Sequence, residues 1–200
     1  MSIRAVYFDL GGVILRTEDK GPRTKLAESL GLDYDGMDRA VFGSESSRQA
    51  SVGIISEEQH WQNAVRALDL PESEIPRIIE IFFAGDQIDH ALVGFMRSLR
   101  PATKVGLISN AWSGLREWIL DHKFDDTFDY MTMSAEVGFA KPDARIYLHA
   151  LEKLNVRPEE AIFVDDMPAN VEGAKALGMR GVLFKSSQQA IADVKSLLAA

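Results

Sequence analysis

Two hundred residues, 46% of them apolar and 26% charged, suffice for one globular core with a small appended lobe. The absence of cysteine excludes disulfides, thiolate metal sites and cysteine nucleophiles, and makes a cytoplasmic protein the natural expectation. A formal charge of −8 with no basic stripe argues against nucleic acid as a partner, and no apolar stretch is long enough for a membrane span.

Residues 3–10 (IRAVYFDL) read as a buried strand, because the apolar run is short and Asp9 is wrong for the core of a signal peptide. From about 16 to 100 the pattern is helical at roughly 22–31, 56–69, 73–84 and 88–99, with a polar Ser/Gly-rich stretch from Gly43 to Gly53 and no convincing strand. Strands are then expected at 104–109 (KVGLIS), 129–134, 160–165 (EAIFVD) and 180–184, alternating with helices at 112–123, 143–155, 168–177 and 188–199. Pro168 suits a first helical turn and Gly178 a helix stop. The alternation predicts an α/β, doubly wound parallel sheet formed by residues 1–15 and 101–200, interrupted by a helical insertion over 16–100.

In open α/β sheets ligands bind beyond the carboxyl ends of the strands. The polar residues there are Asp9, Ser109 with Asn110, and Asp165 with Asp166; Lys141, in the loop GFAKPDAR, is a further candidate. Carboxylates that converge on one crevice must take up protons or bind a cation, and an all-oxygen ligand set points to Mg²⁺. Lys141 adds a fixed positive charge and Ser109 a hydroxyl, while Gly11 and Gly12 leave backbone amides open to an anion. An acidic chain thereby gains the local positive centre that a phosphate ligand requires.

These segments, YFDLGGV, LISN, EVGFAKPDARIY and FVDDMPANVEGA, resemble in content and order the motifs of the haloacid dehalogenase-like (HAD) superfamily, over nearly the whole chain. The resemblance implies a Rossmann-like core, with the insertion as a small helical cap. It also implies roles: Asp9 as the nucleophile that forms an aspartyl phosphate, Ser109 and Asn110 as holders of a phosphoryl oxygen, and Lys141 as the bridge between nucleophile and phosphate. Asp166 matches the direct metal ligand, with Asp165 behind it or sharing that role, and the Gly11 carbonyl completes the protein's metal contacts beside Asp9. The implied activity is Mg²⁺-dependent hydrolysis of a small-molecule phosphate ester.

The sequence departs from the family's phosphatases two residues after the nucleophile, where they carry a second Asp and this chain has Gly11. That Asp serves as general acid and base. Its absence leaves three readings: a phosphatase that works on esters with good leaving groups or borrows an acid from elsewhere, with Glu18 and Asp19 as candidates; a phosphometabolite-binding protein without turnover; or a metal-independent dehalogenase, which the acidic pair at 165–166 disfavours. A similar opening occurs in a subgroup resembling alpha-D-glucose-1-phosphate phosphatase, which supports the first reading, and the missing acid makes sugar 1-phosphates and acyl phosphates the expected substrates. Of the other residues, His60 is expected at a surface or boundary, Trp61 in the packing of the insertion, Trp112 near the crevice entrance, and Met131, Met133 and Met167 in the core.

Overall fold

The computed structural model describes residues 2–200. Its main sheet has five parallel strands in the order β5-β4-β1-β6-β7: β1 (Ala5–Phe8), β4 (Lys104–Ser109), β5 (Tyr130–Met133), β6 (Ala161–Asp165) and β7 (Arg180–Leu183). The first strand lies at the centre, in register with both neighbours, so that Phe8 faces Leu107 on one side and Val164 on the other. The chain moves outward from β1 in both directions, which places the topological switch, and the crevice that goes with it, at the carboxyl ends of β1, β4 and β6.

Side-chain alternation sorts the strands into two packed faces. Val6, Phe8, Val105, Leu107, Ile162 and Val164 pack with Leu92, Val93 and Met96 of α6 (His90–Leu99) and Ala190 and Val194 of α11 (Ser187–Leu198). Ala5, Tyr7, Ile108, Ala161 and Phe163 pack on the other face with Ile146, Tyr147 and Leu151 of α9 (Ala144–Leu154) and Ala174 of α10 (Pro168–Ala176). Helices on both faces explain why β1 and β6 are buried along their whole length rather than alternately. Pro168 opens α10, and Gly178, at φ +96°, follows its end.

A separate apolar cluster is built by α1 (Gly21–Ser29), α2 (Tyr34–Val41), α4 (Glu57–Ala67) and α5 (Ile75–Phe83), through Leu26, Met37, Val41, Trp61, Val65, Ile78 and Phe82. Trp61 is only 2% exposed, as its helical pattern predicted. Helix α6, which the sequence grouped with this insertion, instead packs its apolar side on the sheet.

Two expectations for the insertion need correction. It contains a strand, β3 (Asp86–Ile88), antiparallel to β2 (Leu15–Thr17). Each is three residues long, too short for an alternation signal, and the partner lies some seventy residues away in the chain. The polar segment after Gly43 is also helical, as α3 (Glu45–Ser51), because the Ser44 hydroxyl accepts the Ser47 amide and caps it. Among the described residues, no helix is long and apolar enough to cross a membrane.

Candidate active site

Asp9 follows the last residue of β1, Ser109 closes β4 and Asp165 closes β6, so parallel register alone delivers all three to one rim. One oxygen from each of Asp9, Asp165 and Asp166 lies within 4.8 Å of the others. Lys141 reaches between them from the loop ahead of α9, its ammonium 2.8 Å from Asp9 Oδ1 and 2.7 Å from Asp165 Oδ2. That loop is fixed by Asn110, whose side chain accepts the Lys141 amide at 2.7 Å and donates to the Lys141 carbonyl at 3.0 Å. The Asn110 side chain is thereby taken up by the loop.

The two neighbouring aspartates differ in what surrounds them. Asp165 is 0% exposed and its oxygens accept from Lys141, the Met167 amide at 2.8 Å and the Asn170 side chain at 3.0 and 3.1 Å. Asp166 is in no ion pair and accepts no hydrogen bond from any other described residue. Asp9 offers one oxygen of each kind: Oδ1 accepts the Leu10 amide at 2.7 Å as well as Lys141, while Oδ2 has no partner among the described residues.

Three carboxylates and one ammonium sum to two negative charges in a largely buried crevice. Burial pushes the Asp9 carboxyl up to about 7, against the pull of Lys141 and with the help of Asp165. Burial, then Asp165, pushes the Asp166 carboxyl up as well. A divalent cation offsets this charge and reverses both shifts. The donor set fits one of the Mg²⁺ type because all of it is oxygen: the Asp9 and Asp166 carboxylates, and the Gly11 carbonyl, which accepts no hydrogen bond from any described residue.

Gly12 adopts φ +77°, and a Cβ there would stand 2.4 Å from Asp166 Oδ2. Only glycine satisfies both the turn and the approach of Asp166. Gly11 is the opposite case, since a Cβ built on it meets nothing within 4 Å. The substitute acids expected after the strand are engaged elsewhere: Glu18 Oε1 pairs with Arg16 at 2.9 Å, and Asp19 Oδ1 accepts the Gly21 amide at 2.8 Å.

Asn170 and Tyr147 are supports that the sequence reading missed. The Tyr147 hydroxyl donates to the Asn170 carbonyl at 2.8 Å, and Asn170 in turn orients Asp165. The one available signal was an amide in the first turn of the helix after the acidic pair. His60, expected at a surface or boundary, is 0% exposed, with Nδ1 2.9 Å from the Ser46 hydroxyl and its ring 4.3 Å from that of Trp112. Burial pushes its pKa down to about 4. Trp112 belongs to the same aromatic cluster, and Met167, expected in the core, is 53% exposed because it sits on the loop that presents Asp166.

The family model described as haloacid dehalogenase-like hydrolase matches residues 3–178. A sesquiterpene phosphatase of Aspergillus oryzae is 27% identical over 98% of this chain and 97% of its own. Bifunctional epoxide hydrolase 2 of Rattus norvegicus is 24% identical over 98% of this chain, which spans only 39% of that relative's length. Among solved structures, a predicted HAD-like family hydrolase from Porphyromonas gingivalis aligns over 100% of both chains with a TM-score of 0.79 and 25% identity. A HAD family enzyme of Bacteroides thetaiotaomicron, solved with magnesium and inorganic phosphate, shares the fold at a TM-score of 0.76 and 21% identity, covering 92% of this chain and 95% of its own.

Proposed function

Because the chain belongs to the haloacid dehalogenase-like hydrolases, we propose that it is a Mg²⁺-dependent phosphatase of small phosphomonoesters, acting through an aspartyl phosphate on Asp9. One observation carries this reading: Asp9 keeps a single unpartnered oxygen, Oδ2, while its other oxygen is held by Lys141 and the Leu10 amide. A nucleophile fixed by one oxygen and open at the other is aimed before the substrate arrives.

In this mechanism Oδ2 of Asp9 attacks phosphorus in line, and the ester oxygen departs on the opposite side. Lys141 offsets the charge that grows on the phosphoryl oxygens, and its own position is held by Asp165, which Asn170 and the Met167 amide orient. The Ser109 hydroxyl and the Asn110 main chain receive a phosphoryl oxygen. Water then hydrolyses the aspartyl phosphate and regenerates Asp9. When Mg²⁺ is bound, Asp166, the Gly11 carbonyl and the other oxygen of Asp9 would hold it, with Asp165 behind Asp166, and it would supply Lewis-acid charge to the transferring group. The magnesium and phosphate of the Bacteroides enzyme support that assignment by analogy of fold.

The substrate follows from Gly11. With Glu18 and Asp19 engaged elsewhere, nothing after the nucleophile protonates the departing oxygen, and the rate depends steeply on that oxygen's acidity. Sugar 1-phosphates and acyl phosphates fit better than esters of primary alcohols. The test is phosphate release by wild type, Asp9→Asn and Lys141→Ala, with and without a chelator. Turnover should fall to background in Asp9→Asn and in chelator, and by several orders of magnitude in Lys141→Ala. Undiminished turnover by Asp9→Asn rules out the aspartyl intermediate, and Mg²⁺-dependent binding without any turnover points to a binding protein.

A further inference from the structure

The segment that follows the phosphate-holding end of β4 is divided between the two apolar bodies of the molecule. Its first part is fastened to the sheet domain: Asn110 to the Lys141 backbone, and the Ala111 amide to the Ser134 hydroxyl at 2.9 Å. Its second part is fastened to the helical cluster. Trp112 stacks on Phe42 with ring centroids 5.6 Å apart and lies edge-on to Trp61 at 5.6 Å. Beyond it the contacts with α4 are reciprocal. The Glu57 amide donates to the Ser113 hydroxyl at 3.3 Å, and Glu57 Oε2 accepts the Gly114 amide at 3.0 Å. The second carboxylate oxygen of Glu57 accepts the indole N–H of Trp61 at 3.4 Å, so one side chain joins the centre of the helical cluster to this loop. The approach is close enough that a Cβ on Gly114 would stand 2.6 Å from Glu57 Oε2.

We propose that Glu57 is a positioning residue: by tying α4 to Ser113 and Gly114 it couples the seating of the helical cluster to the phosphate-binding end of β4. The chain of contacts runs from Trp61 through Glu57 to Gly114, back along the loop to Trp112 and Asn110, and so to Lys141. When the helical cluster lifts away, Trp112 to Gly114 are drawn with it and the Ser109–Asn110 end of β4 loses its outer support. Linkage makes the coupling reciprocal, so an anion bound at Ser109 and Asn110 tightens the seating by the same factor. The proposal rests on the phosphatase reading only in taking this rim as the phosphate site.

Two readouts, neither requiring turnover, test it in a Trp118→Phe background, where Trp61 is buried and Trp112 reports on the seam. The first is acrylamide quenching of tryptophan fluorescence; the second is calorimetric affinity for inorganic phosphate with Mg²⁺ present. Glu57→Ala should raise the quenching and weaken phosphate binding by about 3- to 10-fold, the factor expected for loss of the hydrogen bond that ties it to the Gly114 amide. Glu57→Gln, which keeps an acceptor for the Gly114 amide, should restore both, and phosphate should reduce quenching in the protein with Glu57 intact. Unchanged quenching in Glu57→Ala shows that the tie does not hold the seam. Increased quenching with unaltered phosphate affinity shows that it holds the cap without positioning the site. Either result overturns the proposal, as does a failure of the Glu57-intact protein to bind phosphate. Hydrolysis of p-nitrophenyl phosphate by wild type is followed separately: phosphate binding that obeys these rules without hydrolysis sinks the phosphatase reading and leaves the coupling standing.

Discussion

Two adjacent glycines after Asp9 face opposite constraints. Gly12 is held by its positive φ and by Asp166, whereas Gly11 has open space where a side chain would begin. An Asp at position 11 therefore fits without displacing a neighbour, and it would stand two residues past the nucleophile. Gly11→Asp should leave stability nearly unchanged and raise kcat/KM for glucose 6-phosphate relative to glucose 1-phosphate. General acid catalysis contributes up to roughly 10²–10⁴, and its gain is largest for the poorer leaving group. Steady-state kinetics on the two esters checks this; no relative gain for the 6-phosphate removes leaving-group acidity as the basis of substrate choice.

At the scale of elements, the helical cluster has a core of its own, and β2 and β3 link it to the sheet domain. That link is anchored where Arg16 donates to Asp89 at 3.0 Å, and Asp89 in turn caps α6 by accepting the Leu92 amide at 2.8 Å. Trp61 packs edge-on against Phe82 at 6.2 Å and Phe83 at 6.1 Å, inside the cluster. Trp61→Ala should cost about 3–5 kcal/mol, the usual penalty for emptying a large aromatic site. Urea unfolding measures the loss. Hydrogen exchange should quicken in α1, α2, α4 and α5 while β1, β4 and β6 stay protected, since separate cores open separately. Equal loss of protection in the sheet would show one cooperative unit instead.

Over the whole molecule, an acidic chain concentrates three carboxylates around one buried ammonium, and stability must depend on how that charge is balanced. The Asp9 carboxyl is raised by burial from 3.8 to about 7. The stability tied to its proton is complete below the ordinary value and is lost as pH rises through about 7. A cation that binds the ionised cluster restores what is lost. Added Mg²⁺ should thus raise Tm little near about pH 5 and more near about pH 8, and Asp166→Ala should abolish the increment. Thermal melts with and without Mg²⁺ decide the point: an equal increment at both pH values removes the buried carboxylates as its source.

Composition and pattern alone made legible the alternation of strand and helix, the parallel sheet and the polar residues at strand ends, because a buried parallel strand must be an apolar run and its end must meet the crevice. Asp9, Ser109, Asp165 and Asp166 could be named for that reason. The difference in surroundings between Asp165 and Asp166 was completed by tertiary structure, since Lys141 reaches Asp165 from a distant loop while the Met167 amide and Asn170 hold it locally. The same holds for the short β2–β3 pair, for α6 packing on the sheet and for the burial of His60. Each depends at least in part on contacts between residues far apart in the chain, and neither local propensity nor periodicity records which distant surface an element will meet.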